Sequence, residues 1–224
     1  LTLQCETVIT VSVGEEFTRL GDHAYAINPQ QPDDYTALVQ ELGDRNQIPQ
    51  AIAHLWSLTP NQSVQSYKWF SQCQDLGFYS LLFLAQALGT QQLNQQVQIL
   101  AVTNDAQEVT GDERLCPEKA TILGICKVIS QEYPQIFCRS VDVVIQDVGG
   151  SNHRGHRGRK GEVLGEFLSL CSDAVVAYRG GYRWVQCFEQ VKLDAPTSHE
   201  RSFSLHPYNP TPSLKSDGVY LITG

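Results

Sequence analysis

The last seven residues of the chain, 218–224, carry the pattern that points most directly to chemistry. The run GVYLITG is rich in β-branched and apolar residues and ends in Thr223 and Gly224. Dinucleotide-binding folds often lead a strand into a glycine-rich turn in this way, because glycine lets backbone N–H groups approach a pyrophosphate. We therefore predict that Thr223 and Gly224 are cofactor-binding positions at the start of a nucleotide loop, whose remaining positions this sequence does not contain.

The rest of the sequence has neither a second nucleotide loop nor a familiar proton donor. No GxGxxG occurs, and the first strand-like run leads to Gly14, which is followed by Glu15 and Glu16, whose charges would repel a pyrophosphate. A tyrosine that protonates a ketone oxygen is assisted by Lys or Asn four residues later, and none of the nine tyrosines has either. GxSxG is absent as well. We predict no catalytic residue in this chain.

A Cys–His pair is the remaining route to nucleophilic catalysis, since Cys138 and His54 could be brought together in space. Both residues lie in apolar runs typical of buried strands. We therefore favour a hydrogen-bonded core histidine over a catalytic one.

The cysteines are widely spaced, without a CxxC pair and without a histidine at metal-ligand distance. We interpret them as buried free thiols of a reducing compartment and predict no metal site. The seven are Cys5, Cys73, Cys116, Cys126, Cys138, Cys171 and Cys187.

The formal net charge of −8 argues against nucleic acid and anionic membranes as partners, because long-range repulsion opposes their approach. One segment departs from this balance: residues 147–162 are rich in glycine and carry Arg154, Arg157, Arg159 and Lys160. We interpret the segment as a surface loop, with phosphate capture as the alternative, although its order does not match GxxxxGK[ST].

Strands and helices alternate along most of the chain, which predicts an α/β fold with a mainly parallel sheet and helices on both faces. Strands are predicted over residues 7–13, 51–58, 97–104 and 137–145, with two more within 173–193 joined by a Gly180-Gly181 turn. Helices are predicted over residues 32–42, 75–88, 117–133 and 161–171.

The apolar runs are far shorter than the roughly 20 residues that cross a bilayer, and no signal-peptide pattern follows Leu1. We therefore expect a cytoplasmic protein. Since the sequence also lacks methionine, we interpret it as a piece of a longer polypeptide.

Taken in order, several segments resemble the N-terminal half of the ketoreductase domains in modular polyketide synthases, over nearly the whole chain. The segments are HLWSL (54–58), FYSLLFLAQAL (78–88), VTNDAQEVTGDERLCPEKATILGICKVISQEYP (102–134), CRSVDV (138–143) and VVAYRGGYRWVQCFE (175–189).

The resemblance implies a truncated, Rossmann-like structural subdomain that performs no catalysis. In that family a second half binds NADPH and reduces a β-ketoacyl group carried on an acyl carrier protein. Residues 1–194 would then be the structural subdomain, 195–217 a proline-rich linker and 218–224 the first strand of the catalytic half. The family's catalytic Lys, Ser, Tyr and Asn positions would all lie after Gly224. No cofactor is expected in this chain, and the partners implied are the catalytic half, other synthase domains and the carrier protein.

Two other functions stay open at this point. The chain could be a self-contained α/β enzyme, such as a methyltransferase that uses S-adenosylmethionine. Alternatively, it could be an interaction module whose basic loop, with Arg154 and Lys160 at its ends, docks an acidic carrier protein.

Overall fold

The structure is a computed structural model that describes residues 7–60, 66–91, 93–145, 165–166 and 173–190. The chain divides into two compact units, Leu1–Gln186 and Cys187–Gly224, and the second is described only over residues 187–190. The predicted basic loop, the proline-rich linker and the strand that ends in Thr223 and Gly224 lie outside the described residues.

The first unit contains eight described strands and four α-helices. The strands are β1 (Thr10–Val13), β2 (Thr18–Arg19), β3 (Ala24–Ile27), β4 (Ala51–His54), β5 (Val97–Asn104), β6 (Ile136–Val143), β7 (Val175–Arg179) and β8 (Tyr182–Val185). The helices are α1 (Pro32–Asp44), α2 (Tyr67–Cys73), α3 (Ser80–Gly89) and α4 (Thr121–Glu132), with a π-helical segment at Gln74–Tyr79 and a 3₁₀ turn at Pro117–Lys119.

The main sheet has five strands in the order β4-β5-β6-β7-β8, so each described strand pairs with the next one in the chain. The first four strands are parallel, and β8 is antiparallel to β7. Gly180 and Gly181 form the turn before β8 with φ values of 58° and 82°, a left-handed conformation that glycine adopts without a steric cost. The predicted parallel α/β sheet and its terminal hairpin are confirmed.

A second, three-stranded sheet was not foreseen. In it β3 lies between β1, which is parallel to it, and β2, which is antiparallel. The sequence predicts β1 but not β3, because Ala24–Ile27 is only four residues long and is preceded by the polar turn residues 21–23.

The apolar core lies between one face of the main sheet and the helices α1, α3 and α4. The spacing within residues 117–133 predicts that Ile122, Ile125, Cys126, Ile129 and Tyr133 share one side of a helix. The first four are buried in α4, whereas Tyr133 follows the last residue of the helix and is half-buried. Pro117 begins the 3₁₀ turn that leads into this helix, and Pro134 follows its end, as predicted.

Helices α3 and α4 approach closely at Gly89. A Cβ atom there would lie 2.2 Å from Cε1 of Tyr133, so the ring of Tyr133 occupies the space that any larger residue would need. The contact joins the end of one helix to the residue that follows the other.

Side chains alternate along β6, so Ile136 and Cys138 face the helices of the core while Arg139 points to the other face of the sheet. On that face Arg139 is fully buried and donates to the Asp173 carbonyl at 2.8 Å and to the Glu166 carboxylate. Glu166 and Gly165 are helical and are the described part of the helix predicted over residues 161–171. Helical residues therefore contact the sheet on both faces, as predicted.

Several predicted elements differ in length from the observed ones, among them the strand predicted over residues 7–13, which is observed as Thr10–Val13. The strand predicted over residues 51–58 ends at His54, because the chain then turns and the side chain of Asn104 holds the backbone of Thr59 through both its N–H and its carbonyl group. The helix predicted over residues 75–88 is observed as the π-helical segment followed by α3, and α2 precedes both, so helical structure runs from Tyr67 to Gly89.

Leu81 provides a test of this core, since it is fully buried on α3. We expect Leu81→Ala to lower the free energy of unfolding by about 2–5 kcal/mol, because the lost side chain leaves a cavity. Urea denaturation followed by circular dichroism measures the change. Leu20→Ala is the matched control, since Leu20 is 62% exposed, and should change the free energy by about 0.5 kcal/mol or less.

Candidate functional site

The carboxyl ends of the parallel strands are the place where ligands bind in open α/β sheets, usually where the strand order reverses. Polar residues meet at this edge: His54 ends β4, Asn104 ends β5, Asp142 is next to last in β6 and Arg179 ends β7. The strand order does not reverse anywhere in the described sheet. This edge is the candidate site, and side chains of the protein itself occupy it.

The side chain of Arg179 crosses the edge and is almost completely buried. Its guanidinium pairs with the carboxylate of Asp142, and its Nε donates to Oε1 of Glu113 at 3.1 Å. Nη2 also donates to the carbonyl of Gln107 at 2.8 Å. A buried guanidinium needs such partners because an unpaired charge in the interior is very costly.

Asp142 is held by three groups. Its Oδ1 accepts from the Thr103 hydroxyl at 2.6 Å and from the N–H of Ala106 at 3.1 Å, while Oδ2 faces Arg179. The loop that follows β5 is thereby fastened to the end of β6.

Lys119 fills the neighbouring part of the edge. Its Nζ is buried and donates to Oδ1 of Asn104 at 2.7 Å and to the carbonyl of Thr59 at 3.2 Å. Burial lowers the pKa of this lysine, while nearby groups such as Cys116 and Asp105 act in the opposite direction. The lysine thus ties the loop after β4 to the end of β5.

A small cavity adjoins Lys119 between Trp56, Trp69 and Cys73. Its volume is about 10 Å³, which is roughly the room that one water molecule requires. A nicotinamide or an acyl group does not fit there.

On the far face of the sheet, Glu166 joins two arginines. Its carboxylate pairs with Arg139, accepts from Nε of Arg183 at 2.7 Å and accepts from the Tyr178 hydroxyl at 2.6 Å. Burial alone would raise the pKa of Glu166, but hydrogen bonds from Arg183 and Tyr178 hold it below its ordinary value. These charges link β6, β7 and β8, and their geometry is that of a structural network.

His54 is a core residue, as we favoured. Its Nε2 lies 2.7 Å from the hydroxyl of Ser80, which itself donates to the Leu76 carbonyl at 2.8 Å. The hydroxyl hydrogen is therefore engaged within the helix, and His54 acts as the donor to Ser80. Burial lowers the pKa of His54 to about 4, so the ring is neutral near pH 7.

The structure does not bring Cys138 and His54 together. His54 pairs with Ala101 of β5, which in turn pairs with Ser140 of β6. Cys138 is therefore a full strand away and two positions earlier. The predicted cofactor positions Thr223 and Gly224 lie outside the described residues, so that prediction stands as it was.

Four of the five described cysteines, Cys73, Cys116, Cys126 and Cys138, are buried as predicted, whereas Cys187 is exposed. Within the described ranges no group of three or more His, Cys, Asp or Glu side chains is placed to hold a metal ion. No described helix is both long enough and apolar enough to cross a membrane.

Sequence reasoning missed the residues that fill the strand edge, namely Glu113, Lys119, Asp142 and Arg179. Glu113 and Lys119 belong to the charged stretch DERLCPEK, which is typical of a solvated loop. A usable signal was present in CRSVDV, because a charged residue in a strand buried on both faces must have a buried partner.

The chain belongs to the family described as beta-ketoacyl synthase-like, N-terminal, whose model matches residues 2–153. Together, the family and the truncated Rossmann-like sheet define the class of the protein: a region related to the ketoreductase units of multidomain synthases. The resemblance stated from the sequence is thereby confirmed.

Solved structures agree with this assignment. The chain is similar to a structure described as the adenylation, ketoreductase and pseudo Asub domains of a keto acid-selecting nonribosomal peptide synthetase module, with 29% identity over 79% of this chain and a TM-score of 0.69. It is also similar to an N-terminal ketoreductase from the macrolactin assembly line, with 20% identity over 60% of this chain and a TM-score of 0.51.

The chain spans only a small part of either neighbour, 14% of the first and 26% of the second. No curated protein sequence matches it significantly.

The buried neutral state of His54 predicts a pH-dependent stability. The pKa is about 4 in the folded protein against 6.5 for an ordinary histidine, so the unfolded chain binds more protons between these values. The neutral His54 ring therefore contributes fully to the free energy of unfolding above pH 6.5. This contribution is lost as the pH falls from 6.5 toward 4, and the loss is about 3 kcal/mol at most.

Urea denaturation at several pH values between 4 and 7 tests this expectation in the wild type and in His54→Gln, whose amide can still donate to Ser80. The variant should show a smaller loss of stability across this range. His23→Gln is the control because His23 is exposed, and it should behave like the wild type. Identical slopes for the wild type and His54→Gln would contradict the assignment.

Proposed function

We propose that this chain is the non-catalytic structural half of a synthase ketoreductase. In this proposal it supports a separate half that uses NADPH to reduce β-ketoacyl groups carried on an acyl carrier protein. The chain itself would bind no cofactor, and Thr223 and Gly224 would begin the nucleotide loop of the catalytic half. Such a synthase would work in the cytoplasm, where buried free thiols such as Cys126 remain reduced.

The observation that carries the proposal is the filled carboxyl edge of the sheet. Where a dinucleotide would lie in an active α/β enzyme, the edge holds the side chains of Arg179 and Lys119, each paired with buried oxygens. Binding a cofactor there would require two buried cations to lose their partners, which is strongly unfavourable. A scaffold does not need this space, and a filled edge stabilises it.

The family assignment and the neighbours support the same function. Both similar structures are described as containing ketoreductases of multidomain synthases or assembly lines. Other domains of the same synthase are therefore the partners that we propose for this chain.

A surface on the edge strand β8 suits contact with the catalytic half. Tyr182 and Trp184 lie on the same side of β8, opposite Arg179 and Ala177 of β7, and they are 72% and 44% exposed. Val185 of the same strand is also exposed. Large aromatic side chains such as these are enriched at the centres of protein interfaces, where their burial provides much of the binding energy.

Complementation tests the scaffold role. The catalytic half is expressed alone and together with this chain, and NADPH oxidation is followed with a β-ketoacyl thioester. We expect soluble active enzyme to increase at least about tenfold when this chain is present, because binding favours the folded catalytic half. Full activity of the catalytic half alone would contradict the proposal.

The same assay tests the β8 surface. The double variant Tyr182→Ser, Trp184→Ser should lose most of the complementation while its own melting temperature stays close to that of the wild type. Tyr67→Ser is the control, because Tyr67 is 85% exposed on α2, away from β8. Equal complementation by both variants would exclude β8 as the contact.

A titration distinguishes the scaffold from the self-contained enzyme that the sequence left open. We expect no saturable heat of binding when the isolated chain is titrated with NADPH or, separately, with S-adenosylmethionine. Saturable binding of either compound at micromolar concentration would contradict the scaffold proposal and would indicate an enzyme of the corresponding class.

A further inference from the structure

The loop between β5 and α4 contains three consecutive backbone N–H groups that point at one carboxylate. The N–H groups of Val109 and Thr110 donate to Oε1 of Glu113 at 3.0 and 2.8 Å, and the N–H of Gly111 donates to Oε2 at 2.8 Å. The hydroxyl of Thr110 adds a fourth hydrogen bond at 3.0 Å. Converging N–H groups of this kind form a nest, which is a known way for a backbone to bind anions.

The backbone of residues 109–111 has a conformation that allows these three hydrogen bonds. Gly111 has a φ of 87°, a left-handed value that redirects the chain between the three N–H groups and the Glu113 that accepts from them. No atom lies within 4 Å of the position of its missing Cβ, so the glycine is required by its conformation and not by crowding.

A buried cation completes the site. Nε of Arg179 donates to Oε1 of Glu113, and both side chains are more than nine-tenths buried. The guanidinium is shared with Asp142, which faces Arg179 from β6. Burial alone would raise the pKa of Glu113, but the donors of Thr110 and Val109 lower it to about 2, so the anion is the form that this site favours.

We propose that residues 109–111, together with Arg179, form an oxyanion-binding site whose resident ligand is the Glu113 carboxylate, and that an external carboxylate binds there when this side chain is absent. The site takes a small monocarboxylate, because the donors match two oxygens on one carbon. In the native chain Glu113 fills the site from within the loop and holds that loop against the carboxyl ends of β6 and β7.

Acetate is the probe that the geometry selects. Replacing Glu113 with alanine removes one methylene and one carboxylate, which together have nearly the size and shape of acetate. The empty site keeps its N–H groups and the Nε of Arg179, which has lost its acceptor while the rest of the guanidinium stays paired with Asp142, and both favour an anion. Chloride at the same ionic strength has the charge of acetate but cannot accept from both sides of the nest.

The experiment measures the melting temperature of Glu113→Ala in increasing sodium acetate and in sodium chloride of equal concentration. We expect the variant to melt below the wild type, and acetate to raise its melting temperature along a saturating curve, by roughly 3 °C at about ten times the dissociation constant. Chloride should not produce this curve. If the variant does not fold in chloride, refolding in acetate should recover native circular dichroism.

Two further variants make the result specific. Glu113→Gln keeps a side chain in the nest and should show no acetate curve. Glu108→Ala, at an exposed position of the same loop, should respond to acetate as the wild type does. The proposal is overturned if acetate and chloride affect Glu113→Ala equally, or if acetate raises the melting temperature of Glu108→Ala by the same amount.

Discussion

One buried guanidinium organises the carboxyl edge of the main sheet. Arg179 ends β7, pairs with Asp142 in β6 and reaches Glu113 in the loop after β5. A charge removed from water is tolerated only where its partners are fixed in place, and breaking such a pair costs about 3–5 kcal/mol. The edge that is free to receive ligands in related folds is therefore committed here to internal contacts.

A second buried ionic network lies on the face of the sheet that Arg139 occupies, and here the central group is an anion instead of a cation. There a single carboxylate, Glu166, lies between Arg139 and Arg183, and Tyr178 adds a neutral donor. Both networks attach the terminal hairpin β7-β8 to the strands before it. Ionic contacts thus complement apolar burial where β7 and β8 join the rest of the sheet.

The sequence predicted the elements with strong periodicity and clear boundaries. The buried face of α4 with its flanking prolines, the eight-residue strand β5 and the turn at Gly180 are local features that can be read from a few residues. The small sheet was missed because its strands have only two to four residues and are stabilised by pairing with distant neighbours. Local propensity carries little information about such pairing.

The sequence predicted which catalytic and nucleotide-binding motifs are missing, but it did not predict which residues lie at the candidate site. The apolar runs around Cys138 and His54 correctly favoured a core histidine over a catalytic pair, but they could not show that the side chains of Lys119 and Arg179 would both lie at the strand ends. Their positions depend on how the loops after β4 and β5 fold over the sheet. The one local indication was a charged residue within a buried strand, Asp142. Such a residue must have a buried partner, but the sequence does not show that this partner is Arg179.

The order of strands in the main sheet also bears on how the chain acquires its structure during translation. After β4, each described strand of the main sheet pairs with the strand before it in the chain, although the paired residues, such as Ala51 with Gln98 and Val97 with Ile136, lie far apart in sequence. A nascent chain leaving the ribosome can therefore add strands to one growing edge in the order of their synthesis. Because each parallel pairing closes a long stretch of chain, this growth is slow, and the edge of the newest strand stays unpaired until the next strand has emerged. The antiparallel hairpin β7-β8 closes through the two-residue turn at Gly180 and Gly181, so the last described strand can pair as soon as it is synthesised.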